Sequence, residues 1–100
     1  MPEPIVIHCS RDLEAIMPRY LARRQEEIGR IRASLTAGDY QALRLIGHSL
    51  KGSGGGYGLP ALSDLGMRIE REALAADAAA LEALLAEYSD YLDRLQIVFR

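Results

Sequence analysis

The sequence has little of what would place it among disulfide-linked, metal-cluster or membrane-spanning proteins. Its 100 residues include a single cysteine, Cys9, so neither a disulfide framework nor a thiolate metal cluster is expected. No stretch reaches the roughly 18 apolar residues that suggest a membrane span. The N-terminus lacks a basic region followed by an apolar run, which argues against a signal peptide. These absences predict a complete, cytoplasmic protein in a reduced compartment.

The chain also lacks a net positive charge. The formal net charge is -2 and the isoelectric point is near 5.6, which argues against a nucleic-acid-binding protein, since such proteins carry a basic face. Eleven of the twelve basic residues are arginines, so Lys51 is the one lysine of the chain. Because lysine occurs only once, Lys51 is less easily explained as an ordinary exposed residue.

What the sequence does contain is apolar residues at helical spacing. With 49% hydrophobic residues, the chain can form one domain with a modest core. Four segments repeat apolar residues every three or four positions: 19–37, 39–57, 60–74 and 77–99. Short connections between them predict an all-α, up-and-down antiparallel four-helix bundle. Gly38 and Gly58 should end helices, and Asp39 and Asp77 should cap the helices that follow.

The N-terminal region is predicted to add two smaller features. Ile5-Val6-Ile7 could form a strand, but no later segment reads as a partner strand. Residues 1–9 are therefore expected to form an extended arm on a domain of residues 10–100, with His8 and Cys9 as ordinary terminal residues. Ser10 can cap a short additional helix that reaches Met17 and precedes Pro18.

One arginine falls within the apolar stripe of the first long segment. Arg24 is expected to bury its aliphatic stem and keep its charged group in water, as arginines in such positions usually do. The less common arrangement would pair Arg24 with an acid.

Residues 46–57 combine helical periodicity with many glycines, which disfavour helices. Such a local conflict is typical of functional sites. At 100° per residue, Leu43, Ile46, Leu50 and Tyr57 fall on the side opposite His48, which therefore points outward. Leu45 borders the exposed face, and five residues lie within about 60° of His48: Gln41, Arg44, Lys51, Gly52 and Gly55.

This exposed face suits group transfer to a large partner. A neutral imidazole is a nucleophile near neutral pH, and a lysine one turn away can neutralise an anion attached to it. Packing does not explain the outward glycines Gly52 and Gly55, whereas access for an incoming body does. Gly54 turns toward the core, where it can permit close helix packing.

Other phosphate and nucleophile motifs fit poorly. Gly47 and Gly52 have P-loop spacing, but Ser53 stands where that motif requires lysine. Residues 56–61 match a loose dinucleotide pattern outside any βαβ unit. The Gly-x-Ser-x-Gly elbow of serine hydrolases is missing, and two histidines with one cysteine are too few for a zinc site.

The sequence GHSLKGSGGGYG at residues 47–58 resembles the signature of histidine-containing phosphotransfer (HPt) domains of multistep two-component phosphorelays. The likeness extends over roughly residues 10–95. It implies that His48 is the phosphoacceptor, that Lys51 supports the phosphoryl group and that Gly52 clears the docking surface. Glu70 matches the polar residue that often bonds the histidine ring. Glutamine is common there in relay proteins, whereas glutamate is similar to the chemotaxis-kinase version.

The resemblance also implies a mechanism and partners. Glu70 would accept the Nδ1–H bond, and Nε2 would attack a receiver-domain phosphoaspartate and pass the group to another response regulator. A hybrid sensor histidine kinase would supply the relay. Mg²⁺ would belong to the receiver, and the chain would be a monomeric covalent carrier with no cofactor or ATP site, away from membranes.

Partner choice is predicted to involve the short N-terminal helix together with Gln41, Arg44 and Leu45. The alternative function is a non-catalytic helical bundle that binds or sequesters a receiver domain while its histidine stays incidental.

Overall fold

The computed structural model describes residues 3–100, so the first two residues of the predicted arm lie outside the described part. Four helices and a two-stranded sheet make up this part of the chain. In order they are β1 (Ile5–Cys9), α1 (Met17–Ala37), α2 (Tyr40–Gly54), α3 (Pro60–Leu74), α4 (Ala78–Arg94) and β2 (Leu95–Phe99). Each helix contacts the next, and α4 contacts α1, which closes the predicted four-helix bundle.

The ends of the helices follow the predicted signals. Gly38 ends α1 in the left-handed conformation, with φ of 67°, and Gly58 adopts φ of 76° before α3 begins at Pro60. The side chains of Asp39 and Asp77 each accept a 3.0 Å hydrogen bond from the backbone N–H three residues later. These caps satisfy N–H groups that a helix start leaves free, so the connections can stay short.

The predicted additional N-terminal helix is not present. Ser10 does accept a 3.2 Å hydrogen bond from the N–H of Asp12, but only a three-residue 3₁₀ turn follows, and none of its residues is buried. A short helix is marginal without packing, and Leu13 is the one residue of this turn that packs against the core. Instead α1 begins at Met17 and includes Pro18 in its first turn, where proline is tolerated.

The two ends of the described chain pair with each other, and two predictions are therefore wrong. The arm does have a partner strand, since β1 runs parallel to β2 with Ile5 opposite Leu95 and Cys9 opposite Phe99. The last helix also stops at Arg94 rather than continuing to Phe99. Along β2, half-buried and exposed residues alternate, which is the period of a strand with one covered face.

The core consists mainly of the predicted apolar stripes of α2, α3 and α4, together with two buried charged residues of α1, Arg24 and Glu27. Of the stripe predicted for α1 only Ile31 is buried, while Leu21, Ile28 and Leu35 are half-buried. Leu43 and Leu50 of α2 are fully buried, as are Leu62 of α3 and Tyr88 of α4. Among residues 3–100, no helix combines the length and the apolar character needed to cross a membrane.

Arg24 does not keep its charged group in water. It is only 8% exposed, its Nη1 donates to Ser53 Oγ at 3.3 Å, and its Nε lies 3.6 Å from Glu27 Oε1. Buried charges require such partners. The usual arrangement expected for Arg24 is thus wrong, and the ion-paired alternative is the one observed.

Candidate functional site

Helices α2 and α3 approach each other closely because glycines face each other across their contact. A Cβ atom added to Gly47 would lie 2.6 Å from the backbone N of Glu70, and one added to Gly54 would lie 2.6 Å from the backbone N of Ser63. Gly66 of α3 faces the same contact and meets the backbone of α2. Real side chains do not fit at such distances, so the helices touch through their backbones. Because of this contact, the side chain of Glu70 on α3 can reach the exposed face of α2.

Three of the predicted site residues meet above this contact. His48 on α2 points outward with its side chain 65% exposed, and its Nδ1 lies 2.8 Å from Glu70 Oε2 on α3. Lys51, one turn after His48, donates from Nζ to Glu70 Oε1 at 2.7 Å. Each carboxylate oxygen of Glu70 therefore holds one nitrogen of α2. The hydrogen bond predicted between Glu70 and the histidine ring is present.

The Glu70 carboxylate is kept ionised by these contacts. The hydrogen bond from Lys51, followed by the one from His48, lowers the pKa of Glu70 below its ordinary value. An ionised carboxylate is only an acceptor, so the nitrogen of His48 that faces it must carry the proton. This arrangement selects the tautomer in which Nε2 keeps its lone pair for chemistry.

The surface beyond His48 is open. A Cβ atom added to Gly52 would meet nothing within 4 Å, and one added to Gly55 would meet only Ser63 Oγ, at 3.6 Å. The N–H of Gly55 donates to the same oxygen at 2.8 Å. Neither glycine is therefore required by close packing, in contrast to Gly54. Their missing side chains leave free space next to the imidazole.

The residues predicted for docking occupy the preceding turns of α2. Arg44 donates from Nε to Gln41 Oε1 at 3.2 Å, and Leu45 is 53% exposed. All three lie on the N-terminal side of His48 on the same helix, with Arg44 and Leu45 about one turn and Gln41 about two turns before it. The short N-terminal helix predicted to join them is missing, and a 3₁₀ turn stands there instead.

Sequence reasoning missed residues of α3 and one glycine of α2 that shape this site. Gly47 and Gly66 permit the close helix contact, and Met67 stands 45% exposed one turn before Glu70. A signal was available, because Gly66 precedes Glu70 by four residues and therefore shares its helix face. Gly47 adjoins His48 in the sequence, but the backbone that it approaches belongs to α3, and periodicity within one helix does not show such a contact.

The arrangement can perform nucleophilic group transfer. It offers an exposed imidazole nitrogen, a carboxylate that orients the ring and can balance positive charge on it, and an ammonium group for a bound anion. Among residues 3–100, no group of three or more His, Cys, Asp or Glu side chains could hold a metal ion.

Comparison with known families agrees with this site. A helical bundle that exposes an oriented histidine defines the class of histidine phosphocarrier modules. The family model described as the Hpt domain matches residues 15–96, and the chain belongs to this family. Searches of curated proteins and of solved structures each gave no match.

Membership of the family establishes function at a coarse level. Hpt domains take part in histidine phosphotransfer in two-component signalling, as phosphocarriers that interact with receiver domains and kinases. The match begins after β1 and ends within β2, so it covers all four helices. The strand pair at the termini lies mostly outside the matched region.

Proposed function

We propose that His48 is the phosphoacceptor of a phosphorelay intermediate. In this role the chain accepts a phosphoryl group from a receiver-domain aspartate and passes it to the receiver domain of another response regulator. The observation that carries the proposal is the 2.8 Å contact between His48 Nδ1 and the ionised Glu70. It leaves Nε2 of an exposed ring as the available nucleophile.

The chemical step follows from this geometry. The lone pair of His48 Nε2 attacks the phosphorus of the phosphoaspartate and forms an N–P bond. The P–O bond to the aspartate breaks, and its electron pair stays on the leaving carboxylate. The proton on Nδ1 remains there, so the ring gains positive charge that the Glu70 carboxylate balances at hydrogen-bond distance. Transfer to the second receiver is the reverse of this step, with another aspartate as nucleophile.

Lys51 and Gly52 support the transfer in different ways. In the unmodified protein the Lys51 ammonium group is bound to Glu70, within reach of the face on which the phosphoryl group would stand. After transfer it can share its three donors between Glu70 and the phosphoryl oxygens. Gly52 leaves space for the receiver domain, because nothing lies within 4 Å of the Cβ position there.

The partners and cofactors of the proposal follow from the same chemistry. The chain supplies no metal to the reaction, and Mg²⁺ acts at the receiver, where the phosphoaspartate is formed. A hybrid sensor histidine kinase feeds the first receiver, and the carrier works as a monomer in the cytoplasm. Docking involves Gln41, Arg44 and Leu45, which flank His48 on the exposed face of α2.

The decisive experiment follows acid-labile phosphate on the protein. The chain is incubated with a purified receiver domain that has been phosphorylated with acetyl phosphate and Mg²⁺. Wild type is expected to gain phosphohistidine, and His48→Gln to gain none. His8→Gln is the matched control, because His8 is exposed on β1 and should stay incidental. If His48→Gln gains as much phosphate as wild type, or if wild type binds receivers without gaining any, the carrier proposal is wrong.

A second variant tests access to the imidazole. Gly52→Gln is expected to abolish most of the transfer while circular dichroism shows unchanged helicity, because the new side chain stands in the space that the receiver must enter. Gly29→Gln is its control, since a Cβ atom at Gly29 also meets nothing within 4 Å but lies on α1 rather than on the helix that carries His48. Normal transfer by Gly52→Gln would remove the docking argument.

A further inference from the structure

A groove rich in arginine lies between α1 and α2 beside the proposed phosphoacceptor. Its volume is about 470 Å³, and we call it the arginine groove. Three arginines of α1 and two serines of α2 line it together with apolar and tyrosine side chains: Arg19, Arg23, Arg24, Ser49 and Ser53. None of its described lining residues is acidic. In a chain of net charge -2, this is a local concentration of positive charge.

Two of these arginines have no charged or hydrogen-bonding partner within the described part of the chain. Arg19 and Arg23 are exposed, and within residues 3–100 neither forms an ion pair or a side-chain hydrogen bond. Arg24 differs, because it is more than nine-tenths buried and already faces Glu27. Its Nε nevertheless has no hydrogen-bond partner in the described chain. The groove therefore has a fixed guanidinium in its wall and two free guanidinium groups on its rim.

The floor of the groove holds these groups in place. Tyr20 stacks on Tyr57 with ring centroids 3.8 Å apart, and the Arg24 guanidinium lies 4.7 Å above the Tyr20 ring. The Tyr20 hydroxyl and Ser53 Oγ are 2.9 Å apart. These contacts fix α1 against α2 at the level of the arginines. Arg19 and Arg23, on the first turns of α1, consequently project from a rigid base.

The position of the groove means that a partner on His48 must cover it. Ser49 directly follows His48, and Ser53 lies only about 7.5 Å further along the axis of α2. A stable interface buries about 800 Å² on each partner, which corresponds to a patch with a radius of about 16 Å. A receiver domain centred on His48 therefore reaches over the groove. The charges of Arg19 and Arg23 are then placed in the interface or at its edge.

We propose that the arginine groove binds carboxylate side chains of the receiver domain and so selects which receivers exchange phosphoryl groups with His48. This inference rests on the proposed function and extends it to partner specificity. Guanidinium groups pair with carboxylates in a bidentate fork. A receiver that presents basic or apolar residues here would cover the arginines without pairing them, and such mismatches are how interfaces reject wrong partners.

The test compares two charge-reversal variants with the same change in net charge. Arg19→Glu/Arg23→Glu alters the groove, whereas the control Arg32→Glu/Arg100→Glu alters two exposed arginines that do not line it and that, like Arg19 and Arg23, form no ion pair within residues 3–100. The probe is a purified receiver domain to which wild type binds, used unphosphorylated for affinity and acetyl-phosphate-treated for transfer. Circular dichroism checks that both variants remain folded.

The groove variant is expected to bind the receiver about tenfold more weakly, since each lost charge pair at the edge of an interface is replaced by repulsion. The receiver concentration that gives half-maximal transfer should rise by a similar factor, and the dependence on salt should become weaker. The control variant should change the affinity by less than about twofold. Replacing an acidic receiver residue with lysine should partly restore binding to the groove variant.

Several outcomes would overturn the inference. It is wrong if the groove variant binds as wild type does, if the control variant weakens binding equally, or if no receiver binds wild type at all. The binding measurement does not need phosphotransfer. If wild type binds a receiver but gains no phosphate, the proposed function fails while the affinities of the two variants still decide whether the groove recognises carboxylates.

Discussion

Glu70 is the residue that joins the two chemical groups of the site. It lies on α3, 22 residues after His48, yet it contacts both His48 and Lys51 through separate oxygens. Its side chain is 17% exposed, against 65% for His48. The acid is therefore sheltered while the histidine is open. A sheltered acid can orient an exposed ring without blocking the approach of a partner.

Removing the Glu70 carboxylate should slow phosphotransfer without preventing it. Glu70→Ala is expected to lower the transfer rate roughly 10- to 100-fold, because the imidazole loses the charged hydrogen-bond acceptor that orients it. Glu70→Gln should lose less, because its amide oxygen can still accept the Nδ1–H bond. Rapid-quench transfer assays measure the rates, and ¹⁵N NMR of the imidazole reports the tautomer.

The matched control for this prediction is Glu72→Ala on the same helix. Glu72 pairs with Arg71 and contacts neither His48 nor Lys51. An equal loss of rate in Glu70→Ala and Glu72→Ala, or an unchanged tautomer ratio in Glu70→Ala, would contradict the orienting role.

The pKa of Glu70 offers a test that needs no partner. The hydrogen bond from Lys51, and to a smaller extent the one from His48, lowers the pKa of Glu70 in the folded protein below its ordinary value of 4.5. A depressed pKa means that the ionised form stabilises the fold above about pH 4.5 and that this contribution is lost as the pH falls through the lower folded pKa. The side-chain carboxyl carbon, followed by NMR from neutral to acidic pH, should show the lowered midpoint.

Substitution separates the two causes of this shift. Lys51→Met should raise the pKa of Glu70 toward 4.5 by more than His48→Gln does, because the hydrogen bond from Lys51 is the larger cause. A wild-type midpoint at or above 4.5, or a larger effect of His48→Gln, would show that the charge arrangement of the site differs.

At the scale of helices, the glycines near His48 have opposite roles. Gly47 and Gly66 allow α2 and α3 to touch through their backbones, while Gly52 faces open space. In an exposed helix interior, glycine costs about 1 kcal/mol relative to alanine. That cost is structurally necessary at Gly47, where a side chain has no room. At Gly52 packing does not require a glycine, so the loss of helix stability there is consistent with a role of this position in docking a partner.

Alanine substitutions should therefore change stability in opposite directions. Gly47→Ala is expected to lower the free energy of unfolding by about 1–3 kcal/mol, because the new methyl group overlaps the backbone of α3. Gly52→Ala should raise it by up to about 1 kcal/mol, because only the helix propensity changes. Urea denaturation measures both. The interpretation of the glycines fails if Gly47→Ala is neutral or if Gly52→Ala destabilises the fold.

The elements also show what the sequence could and could not predict. Periodicity and caps were enough for the four helices and for the outward direction of His48, because both depend on neighbouring residues. The strand pair was missed because Leu95 and Phe99 continue the helical spacing of α4, while their strand partner lies about 90 residues away. The approach of Gly66 to α2 was missed for a similar reason, since it depends on two helices.

At the scale of the whole molecule, a buried polar network joins three helices. Arg24 and Glu27 on α1 form an ion pair, and the Tyr88 hydroxyl of α4 donates to Glu27 Oε1 at 2.8 Å. Arg24 continues the network to Ser53 on α2. Burial, followed by the charge of Glu27, raises the pKa of Tyr88 well above its usual value. The tyrosine therefore stays a neutral donor, and the bundle is held in one register by directional bonds.

Pairing also governs the charge on Arg24. Burial disfavours its charged form, but the charge of Glu27 and the adjacent Tyr20 side chain outweigh burial and raise the pKa of Arg24 above its ordinary value. The two buried charges thus depend on each other. Loss of Arg24 alone should cost more than loss of both charges, because buried Glu27 is then balanced only by the exposed Arg30, whose Nη2 donates to Glu27 Oε2 at 3.3 Å.

This dependence predicts the outcome of a double substitution. Arg24→Met alone should lower the free energy of unfolding by about 2 kcal/mol, since it leaves buried Glu27 with only the exposed Arg30 as a partner charge. Arg24→Met/Glu27→Gln should be about 1–2 kcal/mol more stable than the single variant, because glutamine is neutral and can still accept the hydrogen bond from Tyr88. Urea denaturation of the variants provides the free energies.

A surface ion pair supplies the control for this comparison. Arg68 of α3 donates two 2.9 Å hydrogen bonds to Glu87 of α4, with side chains 33% and 51% exposed. Arg68→Met should cost less than about 1 kcal/mol, because water screens and replaces an exposed pair. If Arg24→Met costs no more than Arg68→Met, or if the double variant is less stable than Arg24→Met, the network does not stabilise the bundle through paired buried charges.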